Sequence, residues 1–363
     1  MHPRKAMASQ ARSEPTPSGG HSRQRNGAAS EARSEPQASG VNQADGFTLI
    51  ELLISVAILG IVSVYMFESF AVNQRAYSVI DQVAESQQSI RAIADLLERD
   101  LRHAGLMVPE GAAVCGVDND TAPDLLYISD ANAIDPDDDV ATYDGAAIAV
   151  ATQVAAGVAT FSVSSLVMEP TARPAYDSDA SGTADSDFQA GGGAIVIDLN
   201  DPGRGASCGR VTAVNLGGSQ LTIDIQSGAL AAAAGAVQLV AVPAHEYRIA
   251  NGDQLLRDGV LLTEGVEDLQ VAYFFDADDD GIVDAGETRG DDANDYAASA
   301  QDGSEAREVR VNLVTRTRME DRAWTQGKPQ VMENRAGGAA SDGFRRRTYT
   351  STVMLRNVGA RSL

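Results

Sequence analysis

The stretch GFTLIELLISVAILGIVSVYMFESF, residues 46–70, decides how the rest of the chain is read. From Phe47 to Phe67 its only charge is Glu51. A helix over that segment rises about 31 Å, close to the roughly 30 Å hydrocarbon core of a bilayer. Val, Ile and Leu fall on all of its faces, so the pattern predicts a helix that spans a membrane or packs all round, not an amphipathic one. A lone carboxylate in hydrocarbon costs about 2.5–3.5 kcal/mol on insertion scales, which predicts a partner or a function for Glu51. The plainer alternative is a carboxylate that reaches the membrane surface from near the helix end. A secretory signal carries its small residues and cleavage site after the apolar run, whereas Gly46 stands before it.

Beyond the apolar run the period changes. Ile80, Val83, Gln87, Ile90, Ala94, Leu97 and Leu101 alternate spacings of three and four, and Asp81, Glu85, Arg91, Asp95, Glu98 and Arg102 lie opposite. This is one stripe on a continuing helix, which Gly105 stops. After Gly105 come short β-rich runs punctuated by Gly, Asp and Asn, among them DLLYISD, GGAIVIDL, QLTIDIQ, AVQLVAV, EYRIA, LQVAYFF, EVRVNLVTR and TYTSTVMLRN. Asn251-Gly252 is the strongest hairpin signal. The fold class expected is α+β: a long N-terminal helix, half transmembrane and half amphipathic, packed on an antiparallel β-sheet head. Residues 1–46 are rich in Ser, Pro, Gly, Arg and Gln, hold the near-repeat ARSEPTPSG and ARSEPQASG, and read as disordered. The expected divisions are 1–46, 47–72, 73–105 and 106–363, with exposed loops at 130–145, 170–192 and 287–305.

The formal net charge is −23 and the sequence pI about 4.4. No basic footprint for a phosphate backbone exists, so nucleic acid is not an expected partner of this chain alone. The two cysteines, Cys115 and Cys208, form no C-x-x-C and have no nearby histidine, so the reading is one disulfide in an oxidising compartment. Closing its 93-residue loop is worth about 4.6 kcal/mol in the chain-entropy model. DADDDGIVDAGE places Asp276, Asp278, Asp280, Asp284 and Glu287 at positions 1, 3, 5, 9 and 12 of a calcium loop, with Gly281 at 6 and the Ile282 carbonyl at 7. The preceding VAYFF reads as a strand, not as the entering helix of an EF-hand, and the alternative is a solvated acidic hairpin tip. DNDTAPD (118–124) and DPDDD (135–139) lack the glycine and the terminal Glu, and read as loops. The four histidines are scattered, and there is no GxSxG, HExxH or phosphate loop. No enzyme is expected.

The order Gly46-Phe47-Thr48-Leu49-Ile50-Glu51 followed by an apolar run resembles the class III signal of type IV pilins and pseudopilins. That resemblance implies cleavage after Gly46 by a membrane peptidase, N-methylation of Phe47, and pairing of Glu51, then the fifth residue, with the N-terminal amine of a neighbouring subunit. Three more stretches resemble PilW-type minor pilins: RAIADLLERDLRHAGL (91–106), EYRIANGDQLLRDGVLLTEGVEDLQVAYFFD (246–276) and FRRRTYTSTVMLRNVG (344–359). The second is shared with larger pseudopilins of type II secretion. The implied function is a minor pilin that helps initiate or cap a type IV pilus. Its implied partners are other minor and major pilins, the prepilin peptidase and the inner membrane, with a single pass, a periplasmic head and a final place in the pilus or its tip. The alternatives are a minor pseudopilin of type II secretion and a calcium-dependent tip adhesin.

Overall fold

The apolar run and the amphipathic stripe behind it form one helix, α1 (Leu49–His103). The computed structural model describes residues 47–130, 145–149, 151, 153–167, 185–228, 230–233, 235–290, 301–321, 323–338 and 341–358. The leader, the DPDDD cluster and much of the three expected loops lie outside these residues. The chain divides into two compact units, one up to Val64 and one from Tyr65. In the first unit every described residue is exposed except the half-buried Ser63. Its two serines turn back onto the helix: the Ser55 and Ser63 hydroxyls donate to the carbonyls of Glu51 and Leu59, each at 2.7 Å. An apolar surface with its polar atoms satisfied internally suits lipid or other helices, not water.

In the second unit α1 buries Gln82, Ile90, Ile93, Ala94, Leu97, Asp100 and Leu101. From Ile90 onward this is the expected stripe. Before it the stripe fails: Ile80 is 64% exposed and Gln87 is exposed, while Gln82 is buried and accepts from the Met319 N–H at 3.0 Å. Gly105 follows the helix at φ +79, a conformation that a side chain resists. The Asn357 amide donates to the open carbonyls of Arg102, His103 and Ala104 at 3.2–3.3 Å.

The strands are β1 (Val114–Val117), β2 (Leu125–Ile128), β3 (Ala146–Ala147), β4 (Gly157–Ser162), β5 (Gly193–Asp198), β6 (Ala206–Asn215), β7 (Gln220–Ser227), β8 (Leu239–Ala250), β9 (Gln254–Arg257), β10 (Val260–Glu264), β11 (Val266–Phe275), β12 (Ala306–Arg316) and β13 (Arg346–Met354). Among the described residues they form two antiparallel sheets. The larger runs β1-β2-β8-β5-β6-β7-β4, with the β9–β10 hairpin and β3 paired onto β8, and the smaller runs β11-β12-β13. AVQLVAV and EYRIA, separate in the expectation, are one strand, because β8 continues through Pro243 opposite Ala194. Asn251 (φ 51) and Gly252 (φ 83) make the β8–β9 turn as the dipeptide predicts.

Three cores follow from this division. The first joins Ile90, Ile93, Leu97 and Leu101 of α1 to Val266, Leu269, Val271, Tyr273 and Phe275 of β11 and to Val309, Val311 and Leu313 of β12. The second lies within the larger sheet around Phe161, Phe188, Val196, Leu221 and Ile223. The third surrounds the Cys115–Cys208 disulfide, which ties β1 to β6 across a Cα–Cα distance of 6.2 Å.

Candidate functional site

The first candidate is the start of α1. Thr48 and Glu51 form a reciprocal capping box, the S/T-x-x-E arrangement that satisfies amides at a helix start. The Thr48 N–H and hydroxyl donate to Glu51 Oε2 at 3.0 and 2.9 Å, and the Glu51 N–H reaches Thr48 Oγ1 at 3.4 Å. Glu51 therefore has a partner in its own helix, and its carboxylate is held back toward Phe47. Gly46 lies outside the described residues.

The second candidate is the seam between the end of α1 and the sheets. Asp100, 3% exposed, accepts from the Tyr247 hydroxyl at 2.6 Å and from Arg257 Nη2 at 2.7 Å. One helical carboxylate thus binds β8 and β9. Burial, with the Asp100 charge adding to it, pushes the Tyr247 phenol well above its ordinary range and keeps it a donor. Two residues earlier Glu98 accepts from Tyr349 and Ser351 of β13 at 2.5 and 2.7 Å. The bond from Tyr349, then that from Ser351, holds Glu98 below the usual carboxylate range, with Arg102 also favouring the charged form. Sequence reasoning placed Glu98 on the outer face and gave Asp100 no role. The only available signal was the Leu-x-x-Asp-Leu-Arg run itself.

The third candidate is the loop after β11. Asp276, Asp278 and Glu287 bring carboxylate oxygens within 4.8 Å of one another. Gly281, at φ +85, makes the turn and donates its N–H to Asp276 Oδ2 at 2.9 Å. Asp280 accepts instead from the Ile282 N–H at 2.8 Å and Asp284 from the Gly286 N–H at 3.0 Å, so these two expected ligands stand outside the converging group. The Ile282 side chain is exposed. Arg307 Nε donates to Asp276 Oδ2 at 2.9 Å, and the same guanidinium pairs with Asp279. Burial opposes the charge on Asp276, but the Gly281 and Arg307 bonds outweigh it and hold the group below its ordinary range. Burial, with Asp280 and Glu287 beside it, pushes Asp278 up. Three hard oxygen donors fit Ca²⁺ in type.

Gly191–Gly193 lead into β5. Of the Arg345–Arg347 run, Arg345 pairs with Asp321 at 2.8 Å and stacks on Trp324, while Arg346 pairs with Asp342 at 2.7 Å and with Glu267.

Comparison with known proteins now bears on this geometry. Residues 233–357 match the family of the type IV pilus-assembly protein W, PilW, and residues 42–67 match the prokaryotic N-terminal methylation motif. A type IV-like pilin from Thermus thermophilus is similar at 13% identity, with 75% of this chain and 96% of that chain covered and a TM-score of 0.27. No curated protein matches the chain significantly in sequence. The methylation motif spans the Gly46–Phe47 junction and an apolar helix that fits a membrane-anchored pilin. The PilW match takes in β8 to β13, the strands that Asp100 and Glu98 fasten to the helix, so the last third of the chain resembles PilW, behind an N-terminal helix that carries the methylation motif.

Proposed function

We propose that the chain is a minor pilin that helps initiate or cap a type IV pilus, with its head on the periplasmic side of the inner membrane before assembly. The observation that carries the reading is the exposed, largely apolar surface of Phe47–Val64, whose only charge is Glu51. Such a surface needs lipid first and the helices of other pilins afterwards. Within that helical core Glu51 pairs with the α-ammonium that cleavage after Gly46 creates on a neighbouring subunit. The Cys115–Cys208 disulfide suits an oxidising compartment. The role is one of packing, not catalysis.

Glu51→Gln tests the pairing. The variant inserts in the membrane as well as the wild type, because it removes the only charge of the span, but enters filaments poorly. Normal piliation together with normal capture of partner pilins by the variant refutes the role. Deleting the gene separates the pilus from type II secretion: lost piliation or twitching supports the first, trapped periplasmic exoenzymes the second.

The 276–287 loop favours a second, additional reading, that Asp276, Asp278 and Glu287 hold one Ca²⁺ with Asp280, Asp284 and the Ile282 carbonyl drawn in. Ion binding to the folded state alone stabilises it by about 2.7 kcal/mol at a hundredfold excess over Kd. Millimolar Ca²⁺ therefore raises the melting temperature over that in chelator, and Asp278→Ala removes that loop's share. Equal calcium-induced shifts in wild type and Asp278→Ala leave the loop an acidic hairpin tip.

A further inference from the structure

The smaller sheet has two edges, and they differ. The β11 edge is covered by the loop 118–124: the Asp124 N–H donates to the Leu269 carbonyl at 2.8 Å, and Asp124 Oδ2 accepts from the Val271 N–H at 2.8 Å. The β13 edge is open. At its two ends the Thr317 N–H donates to the Arg345 carbonyl at 3.0 Å and the Leu355 N–H to the Arg307 carbonyl at 2.7 Å, with no shift of register between them. Alternate residues of an antiparallel ladder face opposite sides, so the odd-numbered residues of β13 bond β12. Arg346, Thr348, Thr350, Thr352 and Met354 turn their backbone groups outward, and among the described residues nothing bonds to those groups. Such an edge is a template for another strand, which proteins blunt with brevity, bulges or proline. The edge strands of the larger sheet are short: β1 has four residues, β4 six, and β10 five with a shift of register after Leu261. β13 has nine residues, no proline and no bulge.

Charge and shape say what pairs there. From Gly343 to Leu363 the chain has five arginines and no aspartate or glutamate, in a protein of formal net charge −23. Arg345 and Arg346 are matched by Asp321, Asp342 and Glu267. Arg347 and Arg356, toward the two ends of the edge, are exposed, and among the described residues neither has a carboxylate partner. The strand also ends at a cavity of about 600 Å³, lined by Met354, Leu355 and Arg356 together with Ile282, Val283 and Arg289. Met354 is 60% exposed and Ile282 64%, so apolar surface is on offer at its mouth. A strand edge supplying main-chain bonds, beside a pocket that takes a side chain, is the anatomy of strand addition. Arginines around it favour an acidic partner and suppress a basic one.

We propose that β13 accepts an extended, acidic segment of another protein chain, which adds as a fourth strand to the sheet β11-β12-β13 and seats an apolar side chain in the cavity beside Met354. The outward amides and carbonyls supply the affinity, and Arg347 and Arg356 select the acidic segment. A second β13 is not that segment, because it carries the same positive charge. The inference stands on the sheet edge and does not depend on the place proposed in the pilus.

Fluorescence anisotropy of a short labelled peptide of alternating valine and glutamate, titrated with the full-length, detergent-solubilised chain, tests it. The peptide binds, and the same peptide with lysine in place of glutamate does not. N-methylation of one alternate set of its amides, which strips the N–H groups from one edge, weakens binding about tenfold or more, while methylation of the other set leaves it unchanged. Thr352→Pro weakens binding by a similar factor, because the Thr352 N–H points away from β12 and only the open edge loses a donor. Arg347→Glu with Arg356→Glu, both at exposed positions, does the same. A thermal melt verifies that the variants stay folded, and the arginine pair decides the matter if Thr352→Pro unfolds the head. No binding of the glutamate peptide at millimolar concentration overturns the proposal. So does binding that neither methylated set weakens, or that the arginine changes leave intact.

Discussion

Asp100→Ala probes the joint between the end of α1 and strands β8 and β9. The substitution removes the acceptor of the Tyr247 hydroxyl and of Arg257 Nη2 at once, at 2.6 and 2.7 Å. The Tyr247 hydroxyl is left in the core without a partner, which costs about 1–3 kcal/mol. Breaking a buried ion pair from one side costs about 3–5 kcal/mol. The Arg257 side chain is 23% exposed, so water recovers part of its hydration and the lower end of that range applies. Alanine returns about 0.5 kcal/mol of helix propensity over aspartate. The net loss is about 3.5–5.5 kcal/mol, or roughly 6–10 °C in Tm for a unit of this size. Thermal unfolding of the detergent-solubilised chain, followed by near-ultraviolet circular dichroism, measures it. Tyr247→Phe alone costs about 1 kcal/mol. Combined with Asp100→Ala it adds less than its own cost, because the unpartnered hydroxyl is gone. A melt within about 1 °C of wild type for Asp100→Ala, or strict additivity of the two changes, refutes the clamp.

Three further outcomes are expected. Protein from a peptidase-competent host has an intact mass corresponding to a chain that starts at N-methyl-Phe47, and a terminus beyond residue 60 removes the pilin processing. Thiol labelling of the unfolded, unreduced chain finds no reactive cysteine, and Cys115→Ser with Cys208→Ser costs about 2–4 kcal/mol of stability; two labelled thiols contradict the bond. Glu98, whose folded pKa lies below its unfolded value, contributes stability that is complete above about pH 4.5 and lost as pH falls through the folded pKa. Glu98→Gln therefore flattens the acid limb of the Tm profile, whereas an unchanged limb leaves the β13 contact without weight.

What the sequence discloses is what depends on near neighbours. The apolar run, the helix stop at Gly105, the Asn251-Gly252 turn and most strands are patterns over a few residues, and they emerge where the patterns lie. The clamps are not local: Asp100 meets Tyr247 across 147 residues, and Glu98 meets Tyr349 across 251. A charged residue on a helix reads as solvent-facing until its distant partner is known. The stripe fails at Ile80 and Gln87 for a related reason, since Gln82 finds a backbone N–H at Met319 and turns that face inward. The division into two sheets depends on which strand pairs with which, and no single run specifies it. β1 is only four residues long and contains Gly116, too little for a period-two pattern. In the acidic loops, ligand spacing named five carboxylates at 276–287, of which Asp276, Asp278 and Glu287 converge, and it passed over 118–124, whose neighbours come from β11 and from Asn334.

Glu51 carries two readings, a cap for its own helix and a charge for a neighbour, and two substitutions at Thr48 and Glu51 separate them. Glutamine at the third helical position still completes a capping box, so Glu51→Gln keeps the cap and loses the charge. Thr48→Val does the reverse: it removes the Oγ1 partner at 2.9 Å and leaves the carboxylate ionised and free to turn outward. Losing a threonine cap costs about 1 kcal/mol in water. Leaving a carboxylate unpaired among apolar helices costs about 2.5–3.5 kcal/mol, which a neighbour's ammonium relieves and Thr48 relieves only in part. The charge therefore outweighs the cap. Filament incorporation, scored by co-purification of partner pilins, falls sharply for Glu51→Gln and only slightly for Thr48→Val. Equal losses in the two variants would assign Glu51 to the helix start, and assembly would then rest on the apolar surface of Phe47–Val64 without the ion pair.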